Sequence, residues 1–292
     1  MKKRLLALSV LFSLLALPAS AGLLWNYASP GSRHLNPTPT IPPANLIADL
    51  EYDGSSQAAS LYSDSGCSTP VTSGAVLCVR DNLSGTNFAS AAAGQSVTSP
   101  AGGINGVPVS SWTGADASGL VSSTLGTTLE DNYAVTIYYV VEVSSSEVGT
   151  LYSIGDSADG LPYVLTFVAA GAAQGNWKGI NGTQSVLSGG TIATGTPTVL
   201  EFSGSTLSGC TVYQDGNVVD TVGSCPIAGS FPAGYTASAT ASIGGLISLV
   251  GTLGFEGLLV GPIIQAGAWN NTESQFIDMQ IYLQDKYGTP AP

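Results

Sequence analysis

The chain is poor in charge, and poorest in positive charge. Only 9% of its 292 residues are charged, with seven Lys and Arg against 19 Asp and Glu. Such a surface repels polyphosphate and anionic lipid, which sets nucleic acid and acidic membrane faces aside as partners. There is one histidine, His34, so a Ser–His–Asp site would have to use it. It stands in a proline-rich stretch that offers no rigid frame. Only four cysteines occur and none forms a C-x-x-C pair, which removes the usual zinc spacings. Gly-rich phosphate loops opening a helix, EF-hand-type D-x-D-x-D-G runs and internal repeats are absent too.

What is there begins with a three-part leader. Lys2, Lys3 and Arg4 precede a largely apolar run, Leu5 to Leu17, and Pro18 breaks it before Ala19-Ser20-Ala21. Basic region, short apolar core and small-x-small site are the pattern of a secretory signal peptide over 1–21, too short to span a bilayer comfortably. The protein is therefore expected to be secreted, extracellular or periplasmic, with no membrane insertion after cleavage. The remaining 271 residues hold Arg33, Arg80, Lys178 and Lys286 against 19 carboxylates, a net charge of −15. Export also makes disulfides the natural state of Cys67, Cys78, Cys210 and Cys225. Of the three connectivities, Cys67–Cys78 and Cys210–Cys225 would each staple one hairpin-like loop, worth ~3 kcal/mol for a loop of ~15 residues.

Residues 22–44 read as an arm or linker. Pro30, Pro37, Pro39, Pro42 and Pro43 forbid a continuous ladder or helix, and Trp25 and Tyr27 lie just before them. From 45 to 292 the pattern is that of one domain. Short runs rich in β-branched and aromatic residues recur at 46–52, 75–81, 134–143, 149–155, 161–168, 198–203, 210–222 and 237–245. Within 134–143, Val135, Ile137, Tyr139, Val141 and Val143 share one face, and Thr136, Tyr138, Val140 and Glu142 the other. Asp215-Gly216, between two β-forming runs, predicts a tight hairpin turn. Only the end departs from this. Phe276, Met279, Leu283 and Tyr287 recur at helical spacing, Thr272 and Gln275 offer a capping box, and Gly288 and Pro290 follow as stop signals. The expected fold is all-β, a two-sheet antiparallel sandwich with one short C-terminal helix.

Three stretches resemble a known family. The first is Ser60-Leu61-Tyr62-Ser63-Asp64-Ser65, with Thr69-Pro70-Val71-Thr72 and Val79-Arg80-Asp81-Asn82-Leu83-Ser84-Gly85. The second is Gly103-Ile104-Asn105-Gly106-Val107-Pro108 with Trp112 and Gly114. The third runs from Phe255-Glu256-Gly257 to Tyr282-Leu283-Gln284-Asp285-Lys286-Tyr287-Gly288. In order and spacing they are similar to concanavalin A-like, or LamG-like, jelly-roll domains of bacterial secreted and phage structural proteins. The resemblance implies two curved antiparallel sheets, with ligands on a concave face or in loops at one edge.

Hydrolytic relatives of that fold carry E-x-D-x-x-E on one strand, and this chain lacks it. Its nearest substitute is Asp49-x-Glu51-x-Asp53, whose alternation reads equally as the solvated face of an edge strand with Leu50 and Tyr52 turned inward. Glu273 and Asp278 belong to the terminal helix. No catalytic residue is therefore assigned. Sugar sites instead combine an aromatic ring that stacks on a pyranose with amides and carboxylates for its hydroxyls. Gln174 to Asn181 gathers those types. Trp177, Asn176 and Asn181 are the candidate carbohydrate-binding residues, with Asp156, Asp159 and Tyr163 expected at the same end of the sandwich. A core position for Trp177 is the competing reading. No cofactor is expected. Calcium stays open through loop carboxylates at Asp64, Asp81, Asp116 and Asp131. Asn82, Asn181 and Asn270 head glycosylation sequons. The composite expectation is a secreted, non-catalytic carbohydrate- or surface-binding protein whose partner is a glycan or cell-surface polymer. The alternatives are a structural or adhesive protein of a virion or cell surface, and a glycoside hydrolase or lyase with a non-standard carboxylate site.

Overall fold

The computed structural model describes residues 45–51, 61–71, 73–90, 97–114, 119–122, 134–144, 149–155, 164–169, 171–178, 184–205, 209–223, 240–245 and 254–290. The expected leader and arm lie outside these. Among the described residues the strands form two sheets, and every pairing between neighbours is antiparallel. The first sheet runs β16 (Asn217–Val222), β15 (Gly209–Gln214), β14 (Thr198–Ser205), β9 (Ala134–Val143), β18 (Glu256–Ala266), β7 (Ser110–Thr113), β6 (Thr98–Ser99) and β3 (Gly74–Ala75), with β1 (Leu46–Asp49) also on β18. The second runs β13 (Gln184–Gly189), β12 (Ala172–Lys178), β11 (Val164–Ala169), β10 (Gly149–Gly155), β17 (Thr240–Ile243), β8 (Leu120–Ser122), β5 (Asn87–Ser90), β4 (Cys78–Arg80) and β2 (Leu61–Tyr62). The two antiparallel sheets form a sandwich, and one helix, α1 (Ser274–Tyr287), follows.

The alternation of β9 explains the layering. On its inward side, Tyr139 shares a hydroxyl–hydroxyl bond of 2.6 Å with Thr166 of the second sheet, and Phe202 packs edge-on to its ring at 5.8 Å. Of the outward set, Thr136, Tyr138 and Val140 are buried and Glu142 is half-buried, and α1 lies over it at Tyr138. Phe276 packs on Tyr138 at 5.8 Å and on Tyr213 at 4.8 Å between ring centres. Burying a phenylalanine in this way is worth about 1.5–3 kcal/mol. The amphipathic face read from the sequence is the face that docks: Phe276, Met279, Leu283 and Tyr287 are all buried.

At ~1.5 Å per residue, 14 residues extend ~21 Å. That crosses about four strand spacings of ~4.8 Å. The start of α1 accordingly lies by the β15–β16 turn, where Asn271 donates to the Gly216 carbonyl, and its end lies by Glu51. The predicted turn is present, with Asp215 and Gly216 both at positive φ (49° and 78°). Gly288 ends the helix in the left-handed region, its N–H donating to the Gln284 carbonyl at 2.8 Å. The expected Thr272–Gln275 capping box is not formed: the N-cap of α1 is Glu273, with no side-chain cap hydrogen bond. In the turn before it the Asn270 side chain accepts the Thr272 N–H at 3.0 Å, and the Glu273 carboxylate accepts the Asn270 N–H at 2.7 Å.

The runs read from the sequence miss several strands, β12 and β13 among them. β12 and β13 are built largely from Ala, Gly, Ser, Gln and Asn, so their pairing is backbone-driven and carries no apolar alternation. Cys67 and Cys78 are disulfide-bonded, 5.5 Å apart between Cα atoms, as expected. Cys210 is disulfide-bonded as well, and Cys225 lies outside the described residues.

Candidate functional site

Two places draw together the residues singled out by sequence. The first is the carboxylate run after Leu46. The backbone at 49–51 runs beside β18, and its own outer edge is closed by the β4–β5 turn. The Asp49 N–H donates to Asp81 at 2.8 Å, and the Asn82 N–H donates to the Asp49 carbonyl at 2.8 Å. Asp81 is fully buried and also accepts the N–H groups of Leu83 and Ser84, both at 3.1 Å, and the Ser84 hydroxyl. The side-chain amide of Asn82 donates to the Glu51 carbonyl at 2.7 Å and to Asp49 at 3.3 Å. The solvated edge face expected for Asp49 and Glu51 is therefore corrected: both are buried, as is Leu50 between them. Asp53 lies outside the described residues.

Glu51 is held by α1. One carboxylate oxygen accepts the Tyr287 hydroxyl at 2.7 Å and pairs with Lys286 at 2.9 Å, and the other accepts the Tyr282 hydroxyl. Lys286 also donates to the Tyr282 oxygen at 3.1 Å. Asn105 donates to the Lys286 carbonyl at 3.0 Å, fixing the helix end to the 103–107 turn. Burial and the neighbouring Glu51 charge push the Asp49 carboxyl up to about 6. Both carboxylates are buried, and both already accept hydrogen bonds from protein donors. This cluster fastens the first strand and the last helix to each other, and it does so with the residues that carry the family resemblance: Asp81 and Asn82, Asn105, Tyr282, Lys286 and Tyr287.

Of the calcium candidates, Asp64 spends its oxygens on Ser68 and Thr69, and Asp81 spends both of its own as described. Asp116 and Asp131 lie outside the described residues. Among the described residues no three His, Cys, Asp or Glu form a group able to hold a metal ion.

The second place is one end of the second sheet. The ladder aligns Ile154 with Val164, Val164 with Trp177, and Trp177 with Ser185. The end of β10, the start of β11, the end of β12 and the start of β13 therefore lie side by side. Asp156 follows the first of these, Tyr163 precedes the second, and Asn181 stands between the last two. Those three residues and Asp159 lie outside the described ones. Within β12 the register separates Trp177 from Asn176. Trp177 falls in the alternation set of Ala173, paired with the line of the buried Thr166, Val168 and Leu187. Asn176 falls in the other set, with Gln174 on its own strand, the half-buried Phe167 across β11, and the exposed Ser188 across β13.

Sequence reasoning passed over one group. Glu201, in the middle of β14, is fully buried beneath α1. Its signal was a lone carboxylate inside the apolar run Thr198-Val199-Leu200-Glu201-Phe202, a place where a charge is costly without a partner.

No protein-family model matches the chain, and no curated protein matches it. Solved structures do. The binding domain of Paraclostridial Mosquitocidal Protein 1 aligns over 84% of this chain and 55% of its own, with a TM-score of 0.55 and 13% identity. The binding domain of Botulinum neurotoxin serotype D aligns over 84% of this chain and 54% of its own, with a TM-score of 0.52 and 10% identity. The chain thus spans about half the length of these two structures. Domain 4 of AbnA, a GH43 extracellular arabinanase from Geobacillus stearothermophilus solved with arabinotriose, aligns over 81% of this chain and 98% of its own, with a TM-score of 0.46 and 17% identity. What the two toxin domains share with this chain at these identities is the β-sandwich fold.

Proposed function

We propose that this is a secreted glycan-binding protein, a concanavalin A-like sandwich that recognises sugar at the end of the second sheet where β10, β11, β12 and β13 meet. The observation that carries this reading is the register Ile154–Val164–Trp177–Ser185, since it draws four strand ends together. The segments that continue from them contain Asp156, Tyr163, Asn176, Trp177 and Asn181, an aromatic, amide and carboxylate set suited to sugar hydroxyls and ring faces. The fold is one used for binding in the two toxin domains named above, which is a likeness of frame and leaves the chemistry to the site. Hydrolysis has less support, because Asp49 and Glu51 are enclosed.

The test is a glycan-array screen of residues 22–292, run with calcium and again with chelator. Binding weakened at least about tenfold by Asn176→Ala, Asn181→Ala or Tyr163→Ala supports the site, and loss in chelator adds a metal. Trp177→Ala separates two roles. Lost binding with unchanged melting makes Trp177 a stacking ring, whereas lowered melting makes it core. Absence of binding to every glycan in both buffers overturns the proposal.

A further inference from the structure

Among the described side chains, Glu201 is buried without a cation beside it. The Gly216 N–H donates to one of its oxygens at 3.3 Å, and the other oxygen has no hydrogen-bond partner. Gln280 of α1 is buried above it, and neither its amide nitrogen nor its amide oxygen is bonded. The titratable groups acting in this space are Asp215 from the β15–β16 turn, Tyr138 from β9, Tyr213 from β15, and Glu273 at the start of α1. Every one of them is an acid. Among described side chains, the two basic residues are engaged elsewhere. Arg80 bonds Asn87 and the Cys67 carbonyl, and Lys286 pairs with Glu51.

An ionised carboxylate in that setting has lost its water and gained repulsion from Asp215, with a long hydrogen bond from Gly216 and the nearby Gln280 amide in return. Burial first and Asp215 second push the Glu201 carboxyl well above the usual carboxylate range. The two ends of α1 are thus fastened differently. Its second half is clamped by Lys286, Tyr282 and Tyr287 onto Glu51, while its first half lies over a group that fits only as the neutral acid.

We propose that Glu201 makes the first half of α1 a proton-operated latch, docked on the sheet while the carboxyl holds its proton and released when it loses the proton to solvent. The sign follows from linkage. A carboxyl that binds its proton more tightly when docked favours docking fully below the ordinary carboxylate pKa. The advantage falls as pH rises toward the buried value, and above that value it is gone. Release would uncover Tyr138, Tyr213 and Phe276, an aromatic surface on the face of the first sheet.

Hydrogen exchange of the full chain, corrected for intrinsic rates and followed from pH 5 to pH 9, tests this. Opening at amides 276–280 should rise about tenfold per pH unit between the free and buried pKa values, and amides 284–287 should stay flat. Glu201→Gln should remove the pH dependence. The same rise in Glu201→Gln, no rise in the wild type, or an equal rise in both halves overturns the latch. Should Glu201→Gln fail to fold, carboxyl NMR of the wild type with 13C-labelled glutamate decides. One glutamate still protonated at neutral pH supports the latch, and all of them ionised overturns it.

Discussion

Glu51 and Glu201 are both buried under α1, one toward each end of the helix, and their surroundings are opposites. Glu51 has a lysine, two tyrosine hydroxyls and a position beside the chain's first described strand. Among the described residues, Glu201 has one long backbone N–H bond, a glutamine amide above it, and acids as its titratable neighbours. Burial alone therefore does not decide what a carboxylate does. A buried charge with matched donors fastens two distant parts of the chain together. A buried carboxyl without them is tolerated only as the neutral acid, and so couples packing to pH.

The comparison breaks most sharply at Glu51. Glu51→Ala should cost about 3–5 kcal/mol in denaturant unfolding, since it leaves Lys286 buried without a counter-charge and two hydroxyls without an acceptor. A loss below about 1 kcal/mol would mean that the pair is solvated in solution. Asp49 comes next. Its carboxyl is raised to about 6, so the stability it contributes is present below the unfolded value near 3.8 and lost as pH rises through about 6. Asp49→Asn should flatten that decline, by an amount on the order of 2 kcal/mol between pH 4 and pH 8. Tyr287→Phe removes one donor from Glu51 and should cost about 1.5 kcal/mol with little pH dependence. Glu201→Gln is expected to have the smallest effect, within about 1 kcal/mol at pH 5, and to turn stabilising as the pH is raised. Opposite signs for Glu51→Ala and Glu201→Gln at pH 8 would make the contrast quantitative.

The stretches that resemble the concanavalin A-like family turn out to meet at Glu51 rather than at a ligand surface. Val79 to Gly85 closes the free edge beside Asp49, Asn105 fastens the helix end, and Tyr282, Lys286 and Tyr287 hold Glu51. Spacing could show that these motifs belong together, but it could not show that they pack on one another, because their partners lie from about thirty to more than two hundred residues apart. For the same reason Asp49 and Glu51 read as solvated. Two alternate carboxylates look identical whether water or a lysine faces them. The sugar-site residues are in a different position. The register gathers their flanking strand ends.

By itself the sequence determined the alternation of β9, the Asp215-Gly216 hairpin, the buried face of α1 and its stop at Gly288. Each of these rests on residues within a few positions of one another, where backbone geometry leaves little choice. Only the tertiary structure decided where the carboxylates went. Whether Glu51 found Lys286 while Glu201 found no described cation depends on which strands α1 crosses, and that is fixed by long-range packing that no local pattern records.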